Sequence, residues 1–416
     1  MKKILLASCL MATTMVFAQW GGGWGGPQSS GSVPNSDKTA DVNYAGDGKA
    51  YHTLDIYIPK EAKESYPVVI HTYGSAWSFN NMKGSADLST ICAAYAKAGY
   101  AVVTPNHRSA SDAIYPAQLH DIKAVVRFVR GNAAKYKFDT NFVAVSGFSS
   151  GGHLSSLTAT TCGLKEGKSG SVTVDLVGDL GEFTSYSSCV DAAVLWSPPT
   201  DIYTMNPISM GGSGTMEGKF IGVEREGNKD KWMVASSPYY ASDDDPPIIM
   251  FHGTSDNIVN IEQSQELYDS LKNHNVVTEF VKVSGGTHGG DKMNATENLN
   301  KAVEFLDKAR EAKAAAVVVP PDTSKQDTSV VDTSKTDTSA VDTSKNDSIP
   351  PDTQSIAIPT LRLPTLSPVS YSVYSLDGTL VSRSSVLDKS RLKAGVYYVV
   401  SKSATGERKM FRIVKD

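Results

Sequence analysis

Phe142-Val-Ala-Val-Ser-Gly-Phe-Ser-Ser-Gly-Gly-His-Leu154 is the stretch that decides the fold. Its opening apolar run, Phe142–Val145, reads as a buried strand, and a helical stretch begins near Gly152. Between them, Gly147-Phe148-Ser149-Ser150-Gly151 has the spacing of a strand–turn–helix elbow with a serine at its apex. Such a turn crowds its flanks, so the positions two residues either side of Ser149 must be small, and both are glycine. Ser149 then projects at a helix N-terminus, where free N–H groups and the helix dipole favour developing negative charge. The chain has no other G-x-S-x-G; Ser150 is out of frame because Phe148 stands two residues before it.

Outward from the elbow, apolar runs alternate with helical periods from about 41 to 310. Strands are predicted at Leu54–Ile58, Val68–Thr72, Ala101–Thr104, Phe142–Ser146, Ala192–Trp196, Ile248–His252 and Thr278–Val283. Helices are predicted at Asp87–Ala98, Gln118–Tyr136, His153–Thr160, Glu262–Asn273 and Thr296–Ala315. Alternation of this kind predicts an α/β fold with a mainly parallel central sheet. Solid Val/Ile/Ala strands fit a sheet covered on both faces.

A serine hydroxyl is a weak nucleophile unless a base takes its proton, and the base needs a carboxylate to hold its tautomer. His288 lies in Gly285-Gly-Thr-His-Gly-Gly290, a flexible loop after the last predicted strand of this region, and is the candidate base. His153 sits on the helix after the elbow, His252 ends a strand and His274 ends a polar helix; these three suit structural roles. Asp256 follows the strand ending at His252, which places it at the carboxyl end of the sheet with Ser149. Asp201, after Ala192–Trp196, is the runner-up acid, and Asp243–Asp245 lie at the opposite end of a strand. Backbone N–H groups of Ser75, Ala76 and Ser150 are the candidate oxyanion donors, the first two from the loop after Val68–Thr72. Arg108 and Asp121 read as structural, and Trp77 and Trp196 as core.

Composition bounds the rest. A net charge of −4 without a basic stripe argues against nucleic acid as a partner. Residues 1–18 read as an export signal: Lys2-Lys3, an apolar run to Phe17, and a small-residue site ending at Ala18. Leu6-Ala-Ser-Cys9 is a rival lipoprotein box, but the apolar stretch before Cys9 is short. Residues 19–40 read as a Gly/Ser-rich flexible leader and 41–315 as the α/β domain. From Asp322 a five-residue Asp-Thr-Ser repeat runs between proline pairs; 316–354 is a linker, with Thr/Ser density suited to O-glycosylation. Residues 355–416 read as a small all-β domain, with a hairpin signal at Asp377-Gly378. Cys162 and Cys189 flank a Gly/Ser/Asp-rich insertion that a disulfide between them would pin, whereas Cys92 reads as a buried thiol. No Cys spacing suits zinc; no metal or cofactor is expected.

Leu54-Asp-Ile-Tyr-Ile-Pro59, Tyr73-Gly-Ser-Ala-Trp77, Pro105-Asn-His-Arg108, Tyr115-Pro-Ala-Gln118, Gly147-Phe-Ser-Ser-Gly-Gly-His-Leu154, His252-Gly-Thr-Ser-Asp256 and Gly286-Thr-His288 stand in one order. In that order, about 50–310 resembles the hormone-sensitive-lipase-like and bacterial feruloyl/acetyl esterase group of α/β-hydrolases. That resemblance implies a Ser-His-Asp carboxylesterase of acetyl or feruloyl esters on plant cell-wall polysaccharide such as xylan. The family usually carries His-Gly-Gly-Gly/Ala-Trp in the oxyanion loop; here Tyr73 replaces the His and Ser75 a Gly. Val373-Tyr-Ser-Leu-Asp-Gly-Thr-Leu, Leu392-Lys-Ala-Gly-Val-Tyr-Tyr and Arg412-Ile-Val-Lys resemble type IX secretion sorting domains. This implies a sorting-machinery partner and a secreted or cell-surface location; a carbohydrate-binding or stabilising β domain is the alternative. The competing functions are a lipase or peptidase on the same fold, and an inactive hydrolase fold used for binding. A lipase would favour a large apolar lid, and 163–190 is Gly/Ser/Asp-rich instead.

Overall fold

The computed structural model describes residues 31–85, 87–209 and 214–317, with the C-terminal strands 370–375, 380–384, 395–402 and 408–415. The expected export signal, the leader before residue 31 and the linker from 318 lie outside these residues. The chain divides after Ser324 into two units.

In the first unit the strands are β1 (Ser36–Asn43), β2 (Thr53–Pro59), β3 (Tyr66–Thr72), β4 (Ala101–Pro105), β5 (Phe138–Phe148), β6 (Glu166–Ser169), β7 (Val172–Asp175), β8 (Ala192–Trp196), β9 (Ile248–Gly253) and β10 (Thr278–Val283). Eight of them form one sheet in the order β1-β2-β4-β3-β5-β8-β9-β10. Pairing is antiparallel at β1–β2 and β2–β4 and parallel from β4 to β10. This is a mainly parallel α/β-hydrolase sheet. Every residue of β3, β8 and β9 is buried, which is why these strands read as unbroken apolar runs rather than alternating ones.

Successive residues feed opposite cores. Val68, Ile70, Val143, Val145, Ala193 and Leu195 pack on one face with Val125, Val129 and Leu267. Those three belong to the helices Ala117–Gly131 and Glu262–Asn273. Val69, Ala144, Val194 and Trp196 pack on the other with Ile91, Tyr95, Phe305 and Leu306, from Ile91–Lys97 and Thr296–Val317. A third cluster (Trp77, Leu119, Ile122, Leu154, Ile202, Phe220 and Trp232) joins the helix Ser150–Thr160, which follows the elbow, to the segment 201–235.

Three expectations change. The leader predicted over 19–40 ends earlier, because Ser36–Asn43 is the edge strand β1. Its polar side chains hid it: an edge strand pairs through its backbone and keeps charge on its exposed side. Lys38 and Lys83 hold the buried carboxylate of Asp55 at 2.7 and 2.5 Å, and Lys83 also reaches Asp41 at 2.8 Å. The helix predicted from Asp87 starts at Ile91, since Asp87 has φ 49° and cannot continue a helix. The helix predicted over 118–136 breaks at Asn132 into Ala117–Gly131 and the short Ala133–Tyr136.

The insertion between Cys162 and Cys189 is closed by a disulfide between them and carries the β6–β7 hairpin. Arg127 donates to the carbonyls of Val177 and Leu180 (3.0 and 3.2 Å), and Arg130 to those of Ser187 and Cys189 (3.1 and 2.7 Å). In the second unit β11 (Ser370–Ser375), β12 (Leu380–Ser384), β13 (Gly395–Lys402) and β14 (Arg408–Lys415) pair antiparallel in the order β12-β11-β13-β14.

Glu217, in the helix Met216–Ile221, is fully buried and accepts the Ile208 N–H at 3.1 Å. Burial, reinforced by Glu224, pushes its carboxyl up to about 7 from an ordinary 4.5. The folded state therefore binds an extra proton between those values, so this group costs stability as pH rises from about 4.5 to 7. Glu217→Gln keeps an acceptor for Ile208 and is expected to raise Tm by a few degrees at pH 8 and to leave it unchanged near pH 4. Thermal melts of both proteins across that range check this; an equal shift at both pH values would refute it.

Candidate active site

β5 ends at Phe148, and the chain reverses through Ser149 into the helix Ser150–Thr160. Ser149 sits at φ 53° and ψ −123°, and its N–H donates to the Trp196 carbonyl at 2.8 Å. A Cβ at Gly147 would collide with the Gly151 carbonyl, and one at Gly151 with the carbonyls of Thr72 and Tyr73. Only glycine lets these backbones meet.

β9 and β10 are parallel neighbours, so the loops that follow them emerge side by side. Backbone bonds stitch them together: Thr254 N–H to the Val283 carbonyl (3.0 Å) and Ser255 N–H to the Gly286 carbonyl (2.8 Å). The stitching brings Asp256 to His288. His288 Nδ1 lies 2.8 Å from Asp256 Oδ2, and His288 Nε2 lies 2.8 Å from Ser149 Oγ. The carboxylate accepts from Nδ1–H, which leaves the Nε2 lone pair facing the serine hydroxyl. Ser149 is 5% exposed and His288 1%. The Phe148 ring lies 5.0 Å from the His288 ring and backs it.

Asp256 is held as an anion. Burial pushes its carboxyl up, but hydrogen bonds from His252 and His288 outweigh burial and hold it well below the usual carboxylate range. Its Oδ1 accepts the N–H groups of Ile258 and Val259, each at 3.0 Å. His252 Nε2 stands 3.3 Å from Oδ2 and donates to the Val259 carbonyl at 2.9 Å. His252 therefore organises the acid loop, a role that its place at a strand end suggests only in general terms.

The other candidates lie elsewhere. His153 donates to the Ala235 carbonyl (2.7 Å) and accepts from Trp77 Nε1 (3.2 Å). Burial drops its pKa to about 4, so it stays neutral. Asp201 accepts from Ser236 Oγ and the Tyr203 N–H, and His274 pairs with Asp243 at the surface. The buried Asp121 makes a double contact with the half-buried Arg108, with Nη2 to Oδ1 at 2.6 Å and Nε to Oδ1 at 3.0 Å.

Of the three expected oxyanion donors, Ser75 is corrected. Its N–H donates to Ser150 Oγ at 2.8 Å, so it is not free for a substrate. Among the described residues, the N–H groups of Ala76 and Ser150 have no protein acceptor. Ser150 opens its helix, where first-turn N–H groups are unpaired by construction. Ala76 and Trp77 both have positive φ, 46° and 55°, and the buried Trp77 ring anchors this bend by stacking on Phe220 at 4.7 Å. Tyr73, in place of the usual His, stacks on His107 at 4.9 Å and donates to the Phe79 carbonyl at 3.1 Å. An aromatic ring thus positions the loop that a histidine holds in the resembling family. The Ser150 hydroxyl was missed by sequence reasoning; a serine replacing glycine at 75 opposite a serine at 150 was the only signal.

The arrangement supplies a nucleophile, a base, an ionised orienting carboxylate and two unpaired N–H groups, the requirements of acyl transfer. Comparison with known proteins finds esterases among the similar chains. The BD-FAE family profile matches residues 54–271. A truncated form of a carbohydrate esterase from gut microbiota is 40% identical with TM-score 0.64, over 68% of this chain and 99% of that one. A bifunctional GH43-CE protein of Bacteroides eggerthii is also 40% identical, with TM-score 0.62, over 66% of this chain and 35% of that one. The probable carboxylic ester hydrolase LipM of Mycobacterium tuberculosis is 27% identical over 56% of this chain and 51% of that one. The chain spans about half the length of the curated relatives it matches.

Ser150→Ala leaves the Ser75 N–H buried without its acceptor and frees the loop that carries Ala76. Loss of a direct oxyanion donor costs ~100–1,000-fold in kcat; this indirect loss is expected to lower kcat for p-nitrophenyl acetate about tenfold with little change in KM. Steady-state kinetics on the two proteins decide it, and an unchanged kcat would separate the Ser150–Ser75 bond from catalysis.

Proposed function

Because the chain belongs to the BD-FAE family, we propose that it is a serine carboxylesterase that uses Ser149, His288 and Asp256 in an acyl-enzyme mechanism. The unbroken chain of 2.8 Å contacts from Asp256 through His288 to Ser149 carries this proposal. Ser149 Oγ attacks the ester carbonyl while His288 Nε2 takes its proton. Asp256 stays ionised and stabilises the imidazolium that forms. The carbonyl oxygen, now an oxyanion, accepts from the N–H groups of Ala76 and Ser150. His288 then protonates the leaving alcohol, and the C–O bond of the ester breaks. Water enters, His288 takes one of its protons, and the acyl group departs as the acid while Ser149 recovers its hydrogen.

The substrate we infer is an acetyl or feruloyl ester on a plant cell-wall polysaccharide such as xylan. The two similar structures are described as a carbohydrate esterase and as a bifunctional GH43-CE protein, and a polymer of this kind is met outside the cell. We accordingly read residues 1–18 as an export signal and 355–416 as a sorting domain, giving a secreted or surface-held enzyme. Release of mature protein beginning at Gln19 into the medium, seen by N-terminal sequencing, is the matching observation.

Ser149→Ala is expected to lower hydrolysis of p-nitrophenyl acetate at least about a thousandfold, the scale on which a triad nucleophile acts, with an unchanged melting temperature. A folded wild-type protein inactive on every small ester would instead favour a binding protein built on a hydrolase fold. Release of acetate or ferulate from xylan tests the substrate; cleavage of lipid esters alone would overturn it.

A further inference from the structure

We propose that the hollow between the β6–β7 turn and residues 225–231 is a subsite for the sugar chain that carries the ester. This rests on the polysaccharide substrate proposed above. The hollow measures about 700 Å3 and is walled by Ser171 and Val172, by Tyr203, and by the stretch from Arg225 to Lys231. Its size falls within the ~300–1,000 Å3 of ordinary small-molecule sites.

The three walls are tied to one another. Ser169 Oγ, in β6, donates to Asp230 Oδ1 at 2.7 Å and joins the hairpin to the helix Lys229–Met233. Arg225 Nη1 donates to the carbonyls of Tyr203 and Met205, at 3.0 and 3.1 Å. Asn228 Nδ2 donates to the carbonyls of Glu224 and Glu226, each at 3.0 Å, and closes the tight turn between them. The disulfide between Cys162 and Cys189 pins the base of the insertion that brings the hairpin here. A site held this way is set before its ligand arrives, which lowers the ordering cost of binding.

The chemistry of the walls selects the ligand. Tyr203 offers an aromatic ring, with the Lys229 ammonium 5.7 Å from its centroid. Arg225, Lys229 and Lys231 stand among Glu226 and Asp230, so the charge is mixed in sign. An apolar guest would strip water from these charges without replacing it. A guest of strong single charge would meet its own sign. A neutral sugar ring fits both halves: its C–H face lies on the tyrosine, and its hydroxyls donate and accept among the charged groups.

The hollow also lies within reach of the ester site. A Cβ at Gly152, in the first turn of the nucleophile helix, would stand 3.1 Å from Pro198 Cβ. Tyr203 follows Pro198 by five residues, a span of at most ~18 Å when fully extended. Tyr203 thus lies no farther than ~18 Å from a residue packed on the nucleophile helix, a span that a few sugar rings of a polysaccharide cover.

The test uses the full chain. Xylohexaose is titrated calorimetrically into the Ser149→Ala protein, with and without Tyr203→Ala or Tyr203→Phe. Tyr203→Ala is expected to weaken binding about tenfold, the scale of an aromatic contact, and Tyr203→Phe to retain it. With Ser149 intact, Tyr203→Ala is expected to raise KM for acetylated xylo-oligosaccharides about tenfold while leaving kcat, and all kinetics on p-nitrophenyl acetate, unchanged. Binding and KM indifferent to Tyr203→Ala, or an equal loss on p-nitrophenyl acetate, would overturn the subsite. An enzyme that cleaves p-nitrophenyl acetate but no acetylated xylan would sink the polysaccharide substrate; xylohexaose binding that still depends on Tyr203 would then support the hollow on its own.

Discussion

Ser149 occupies a backbone conformation, φ 53° and ψ −123°, that an L-residue adopts only at a cost of ~1–3 kcal/mol. The rest of the site depends on keeping it there. The bond from its N–H to the Trp196 carbonyl ties the turn to the neighbouring strand. Trp196 is itself fixed by stacking on Phe251 at 4.2 Å. On the other side, Gly151 lies against the carbonyls of Thr72 and Tyr73, so the nucleophile and the oxyanion loop share one contact. A side chain at Gly151 would push these two apart, and one at Gly147 would push the turn off the end of its own strand.

Charge is arranged with the same economy. A buried carboxylate ordinarily prefers its proton, yet Asp256 accepts two backbone N–H groups and faces two imidazoles. His153, another buried histidine, is kept uncharged by burial and used as packing for Trp77. His288 is thus given a counter-charge and His153 denied one. His252 shares that carboxylate, so it is the second contact, from His288 Nε2 to Ser149 Oγ, that sets His288 apart from both.

The central sheet was readable because β3, β4, β8 and β9 are parallel neighbours in it and wholly buried, and burial on both faces writes itself as unbroken apolar runs. β1 was not readable: Ser-Asp-Lys-Thr-Ala-Asp has the composition of a loop, and only the pairing of its backbone with β2 makes it a strand. Ser149, Asp256 and His288 could be placed because each stands at a glycine-marked turn after a strand, and the fold delivers such turns to one edge. The engagement of the Ser75 N–H could not be placed, since it depends on the rotamer of Ser150, a contact across 75 residues of sequence. The hairpin and the short helices of 163–235 were also hidden, because each is too short to show a period and is held by single buried side chains such as Phe220 and Trp232 and by bonds to backbone carbonyls.

Ser149 and His288 stand 139 residues apart in sequence, and Asp256 precedes His288 by 32. Contacts of such separation close large loops and form only after much of the entropy of the chain has been surrendered. The elbow alone is a local structure, but its hydroxyl meets His288 only once β9 has paired with β8 and β10 with β9. The three side chains therefore meet only when both halves of the sheet are in place. A chain holding only the strands up to β5 would carry the elbow without the carboxylate and the imidazole that the later loops bring to it.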